Sequence, residues 1–245
     1  MHNKLGNKVS DAKGIAQVLN DHFGSVGEVM ASKIDIENNC DTKDPLDYVN
    51  VRHTQSGNNL LYLSNTDLAE ILKLLSNLDV KKACGYDLIS NYILKNTSYV
   101  IAPYLVILYN MCIREGVFPE NYKTAQVIPL FKGGNKEIVD CYRPISLLPA
   151  LGKLLEKLIS NRVMDYLEKF DLISPHQFGF RKKFGTEYAI LDIYEKLLSN
   201  LDKGLNTCSI FLDLAKAFDS VSHEILLRKL HKYGIRNNAL SFFQS

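Results

Sequence analysis

Ser209-Ile210-Phe211-Leu212-Asp213-Leu214-Ala215-Lys216-Ala217-Phe218-Asp219-Ser220-Val221 decides the reading of this chain. An apolar, alternating run carries one carboxylate, Asp213, and then breaks into a turn that holds an aromatic, Phe218. On a strand, Phe211 and Asp213 share one face, while Ile210, Leu212 and Leu214 share the other. A carboxylate at the end of a buried strand is costly unless a cation meets it. A divalent metal is one such partner, and magnesium usually takes only one or two protein carboxylates together with substrate phosphates. The expectation is a buried strand that offers Asp213 to a cation.

Working outward, Thr186 to Leu201 has helical spacing, and Ser222 is placed to cap a helix running to Tyr233. His176 to Phe180 reads as a short strand or a loop. Leu154, Leu155, Leu158, Ile159, Val163 and Leu167 give one apolar side to a long helix from about Leu151 to Phe170. Thr124 to Phe131 and Tyr142 to Leu147 read as strands joined through the turn Lys132-Gly133-Gly134-Asn135-Lys136. Further upstream, helices are expected near 89–96 and 100–115, the second ending at Gly116. Ser64-Asn65-Thr66-Asp67 is a helix start, followed by a stripe of Leu68, Ile71, Leu72, Leu75 and Leu78. Residues 33–60 are polar and rich in Asn and Asp, as in a linker, and residues 12–32 return to helical spacing. Helices come early and short antiparallel strands later, so the fold class is α+β.

The chain has 245 residues, 46% of them hydrophobic, enough for a real core. Residues 1–80 hold 7 Lys/Arg against 11 Asp/Glu, and residues 81–245 hold 22 against 16. The basic second part permits a polyanionic partner without requiring one, since a mixed solvated surface has the same balance. Cys40, Cys84, Cys112, Cys141 and Cys208 are scattered, with no CxxC pair, so neither a zinc site nor a disulfide framework is supported and a reducing, intracellular compartment fits. The N-terminus lacks the apolar core of a signal peptide. The longest apolar run, Tyr99 to Tyr109, is too short to span a bilayer and reads as a buried helix, so no membrane partner is expected.

Four segments in register carry a resemblance. They are Ala125-Gln126-Val127-Ile128-Pro129-Leu130-Phe131-Lys132-Gly133-Gly134, Tyr142-Arg143-Pro144-Ile145-Ser146-Leu147-Leu148-Pro149, Gln177-Phe178-Gly179-Phe180-Arg181-Lys182 and Phe211-Leu212-Asp213-Leu214-Ala215-Lys216-Ala217-Phe218-Asp219. Together they resemble the N-terminal part of the reverse transcriptase of a non-LTR (LINE-type), jockey-like retrotransposon. The turns Lys81-Lys82-Ala83-Cys84-Gly85-Tyr86-Asp87 and Gly116-Val117-Phe118-Pro119 match the same layout. The resemblance implies polymerase fingers and the first part of a palm over 81–245, preceded by a helical N-terminal extension and linker over 1–80.

It also implies roles. Lys132 and Arg143, on facing arms of a hairpin, would grip the triphosphate of a deoxynucleotide. The plain alternative is an exposed lysine and an arginine paired with an acid such as Asp140. Arg181, Lys182 and Lys183 would follow an RNA template and DNA primer, with Phe178 and Phe180 in the core. Asp213 would be the first ligand of a magnesium pair, with the carbonyl of Leu214 beside it. Phe218 would lie under the sugar and exclude a 2′-hydroxyl, and Asp219 would brace the turn. Cys141 stands where the family usually has Asn, and Phe184 and Gly185-Thr186 also depart from its pattern.

The family's second carboxylate motif contains Asp-Asp, and no such pair occurs in these 245 residues. The chain is therefore expected to be a fragment of an RNA-directed DNA polymerase that is inactive alone. A complete element would act in nucleus and cytoplasm. Two other readings stay open. One is a non-catalytic nucleic-acid-binding remnant of a transposable element. The other is a product that folds poorly because its sheet edge lacks partners.

Overall fold

Pro129 stands opposite Pro144 in an antiparallel hairpin of β1 (Gln126–Phe131) and β2 (Tyr142–Leu147). Neither proline has an N–H, so this pair occupies a non-hydrogen-bonded position of the ladder. Alternation then makes Ile128↔Ile145 and Leu130↔Arg143 bonded pairs, and the Lys132 amide extends the series by donating to the Cys141 carbonyl at 2.8 Å. The computed structural model describes residues 1, 8–31, 59–214 and 216–245. The linker expected at 33–60 falls almost wholly outside them.

The helices begin and end where their caps dictate. Asp67 accepts from the Glu70 amide and starts α2 (Leu68–Ser76), after α1 (Ala12–Ala31). Ser90 caps α3 (Asn91–Asn96), and α4 (Ser98–Glu115) stops at Gly116, whose φ of 66° is cheap only for glycine. A single turn, α5 (Glu120–Lys123), leads into β1, and α6 (Ala150–Lys169) follows β2. Then come α7 (Thr186–Asp202), α8 (His223–Lys232), capped by Ser222, and α9 (Asn237–Gln244).

The core joins Leu61 and Leu63 with Ile71 and Leu75 of α2, Leu105 and Tyr109 of α4, Leu155 and Leu158 of α6, and Phe242 of α9. Arg162 of α6 clamps this core to the segment before α2. Its guanidinium, only 10% exposed, donates to both carboxylate oxygens of Glu70 and to the carbonyls of Ser64 and Asn65. Tyr109 donates to the Leu151 carbonyl at 2.7 Å, which ties α4 to α6.

Three expectations are corrected. Residues 209–214 form no strand, and Ile210, Phe211, Leu212 and Leu214 are all largely exposed. A strand is made by its neighbours, and no described strand pairs with this segment. The helix over Tyr99 to Tyr109 is buried on one face only, since Tyr99, Val100, Tyr104 and Ile107 are exposed. His176 to Phe180 is a loop, one of the two forms expected, but Phe180 is 86% exposed rather than in the core.

Candidate nucleotide-facing hairpin and turn

The hairpin sorts its side chains by register. Residues directly opposite each other point to the same face, and so do residues two apart on one strand. Ile128, Leu130 and Lys132 therefore share a face with Ile145, Arg143 and Cys141. Lys132 and Arg143 are diagonal neighbours on it, at a Cα spacing of ~7–8 Å for that geometry. The other face, with Val127, Pro129, Pro144 and Ser146, looks across a groove of about 930 Å³ toward Ile15, Leu19 and Phe23 of α1. The two cations thus lie on the side away from α1, beside the exposed Ile128, Leu130 and Ile145.

Arg143 is not paired with Asp140. That carboxylate instead meets Lys216 at 3.5 Å and His22 of α1 at 3.4 Å. The contact with Lys216 draws the 216–221 turn toward the base of the hairpin. Asp219 lines the α1 groove. Neither Asp140 nor Lys216 stood out as a link between the two motifs. Their opposite charges were the only signal, and the chain gives no hint that they meet.

Phe218 and Phe180 meet edge to face with centroids 6.0 Å apart. Beside them, the Arg181 guanidinium stacks on the Phe184 ring at 4.2 Å and donates to the Ser174 carbonyl. Its Nε is buried without a partner among the described residues. Lys182 reaches Asp165 at 3.9 Å, and Lys183 has a φ of 65°. Arg181, Lys182, Lys183 and Phe184 line one small cavity with Glu168 and Asp171. The basic run is therefore partly neutralised by acids of α6 and the loop after it.

Asp213 lies in the exposed irregular stretch, with Leu214 beside it. No three His, Cys, Asp or Glu side chains gather at one place among the described residues. One carboxylate and one backbone carbonyl supply too few ligands for a pair of magnesium ions, so these residues do not fit a two-metal centre. No described helix is long and apolar enough to cross a membrane.

Residues 132–244 match the family model described as reverse transcriptase (RNA-dependent DNA polymerase). The chain is 41% identical over 163 residues to the RNA-directed DNA polymerase from mobile element jockey of Drosophila funebris, covering 66% of this chain and 18% of that protein. It is 35% identical over 164 residues to a probable RNA-directed DNA polymerase from transposon BS of Drosophila melanogaster, again covering 66% and 18%. The Drosophila melanogaster jockey polymerase is 36% identical over 170 residues, 69% of this chain and 19% of that protein. The chain thus spans under a fifth of the length of these relatives.

Proposed function

We propose, from the match of residues 132–244 to the reverse transcriptase model, that the chain supplies the nucleotide-facing fingers and the start of the palm of an RNA-directed DNA polymerase of a non-LTR retrotransposon. The helical part before residue 81 is the extension that buttresses them. One observation carries this reading: the β1–β2 register puts Lys132 and Arg143 on one open face of the hairpin. Two cations at diagonal positions of one face suit a triphosphate, and the arginine fork can take two oxygens at once.

Arg181, Lys182 and Lys183 contribute a basic track for an RNA template and its primer, weakened by their acidic neighbours. Phe218 limits the sugar to a deoxyribose by occupying the space of a 2′-hydroxyl. The family implies dependence on a divalent metal, for which magnesium is our assignment. Asp213 is one carboxylate of that requirement, and the described residues do not complete it. The steps assigned to this chain are holding and orienting the nucleotide.

Photo-crosslinking tests the assignment. A photoreactive deoxynucleoside triphosphate should label residues within 128–145, with the label lost when excess unlabelled triphosphate is added. Labelling spread over the surface, or confined to the α8–α9 region, would overturn it.

A further inference from the structure

A second cavity lies between the segment before α2, the end of α4 and the start of α9. It measures about 510 Å³, and Leu60, Tyr62, Asn65, Arg114, Arg236 and Asn237 are among the residues that line it. Exposure alternates along the first wall, as in an extended chain. Leu61 and Leu63 are buried and form an apolar floor with Ile113 and Ala239, whereas Leu60 is half exposed and Tyr62 is 84% exposed. The walls are fixed to one another. The Leu61 N–H donates to the Gly234 carbonyl at 2.9 Å, Asn110 exchanges two bonds with the Thr66 backbone, and Asn238 donates to the Arg114 carbonyl at 2.7 Å. The polar groups are not used up. Arg236 gives only its Nε, to the His231 carbonyl, and Arg114 gives only its Nε, to Glu115. Their terminal nitrogens, the side-chain amides of Asn65 and Asn237 and the Tyr62 hydroxyl have no partner among the described residues. No acid among the described residues lines the cavity.

We propose that this cavity holds one nucleotide of a single-stranded nucleic acid, its phosphate on Arg114 and Arg236 and its base against Tyr62 and Leu60. This adds a second hold on nucleic acid to the function proposed above, and rests on that reading only for the choice of probe. The volume falls within the ~300–1,000 Å³ of small-ligand pockets, with apolar walls for a ring and a few polar groups to orient it. An exposed aromatic offers a stacking surface that accepts any base. Two guanidinium groups suit phosphate oxygens. Side-chain amides such as those of Asn65 and Asn237 both donate and accept, as the edge of a base does. An acidic peptide would engage the arginines and leave the tyrosine and the apolar floor without a role. Arg236, Asn237 and Asn238 are exposed, so a strand can continue past the cavity. No residue of β1 or β2 lines it, which separates it from the triphosphate face of the hairpin.

Fluorescence anisotropy with a labelled oligouridylate on the 245-residue chain tests this. Arg236→Gln and Tyr62→Ala, both at exposed positions, should each weaken binding about tenfold. Lys157→Gln, which removes an exposed charge on α6, should leave it unchanged. An oligothymidylate in the same assay separates RNA from DNA as the occupant, and either one held through Arg236 and Tyr62 supports the site. A strand carrying thiouridine should cross-link within 60–65 or 236–239. Equal affinity in all three variants, no binding, or cross-links confined to 178–184 would overturn the proposal. So would displacement by polyglutamate as readily as by the unlabelled strand. Deoxynucleoside triphosphate binding at the hairpin should be unchanged in Arg236→Gln and Tyr62→Ala, and its own loss would count against the hairpin alone.

Discussion

Phe180 and Phe218 stand edge to face at 87°, centroids 6.0 Å apart, although each ring is more than three-quarters exposed. Residues 38 positions apart are thus joined outside the core, one in the turn after α6 and one in the turn after Asp213. An exposed aromatic pair gives about 0.5 kcal/mol of coupling, at the low end for such contacts. Double-mutant cycles with Phe180→Ala and Phe218→Ala in urea should return that value. A coupling near zero would mean that the pair does not hold in solution.

Arg162 carries a heavier load. Removing it leaves the half-buried Glu70 carboxylate and two chain carbonyls without their donor. Arg162→Ala should cost about 3 kcal/mol or more, and Arg162→Lys should recover only part because a lysine cannot fork. Denaturant midpoints of the two variants check this directly.

Two glycines with positive φ separate crowding from strain. A Cβ at Gly234, where φ is 90°, runs into the Asn59 carbonyl and the Tyr166 hydroxyl. At Gly133, where φ is 125°, a Cβ meets open space. Gly234→Ala should therefore destabilise by more than ~2 kcal/mol, and Gly133→Ala by ~1 kcal/mol from backbone strain alone. Equal losses at the two positions would contradict the packing around Gly234.

The outlines were legible where local chemistry decides them. Asp67, Ser222 and Gly116 set helix ends through caps that need only neighbouring residues. Lys132-Gly133-Gly134 set the hairpin, and the four motifs with Asp213, Lys132 and Arg143 pointed to the family whose model matches residues 132–244. The lack of a strand at 209–214 was not legible, because strand formation depends on partners elsewhere in a sheet. Phe180 sits exposed in a turn at a φ of 61°, which an aromatic-rich pattern does not announce. The second face of α4 was hidden for a simpler reason. A run apolar on all sides says that a helix is apolar, not how many partners it has.

Stability should fall at alkaline pH. Burial pushes the Tyr109 phenol well above its ordinary value of 10.0, and burial also raises Tyr166 and Tyr233. A raised value means that the folded chain keeps a proton which the unfolded chain releases. The contribution is whole below about pH 10 and is lost as pH rises beyond it. Tyr109→Phe should lose the hydrogen bond to Leu151 but show a flatter decline above pH 10 in thermal melts taken across that range.

The central claim is that the open face of the hairpin holds a triphosphate, and a calorimetric titration of the chain with a deoxynucleoside triphosphate tests it most directly. The account predicts measurable binding that weakens about tenfold in Lys132→Ala and again in Arg143→Ala, at ~1.4 kcal/mol for each lost charged contact. Lys153→Ala, on α6, should leave it unchanged. Binding indifferent to Lys132 and Arg143, or none at all, would contradict it.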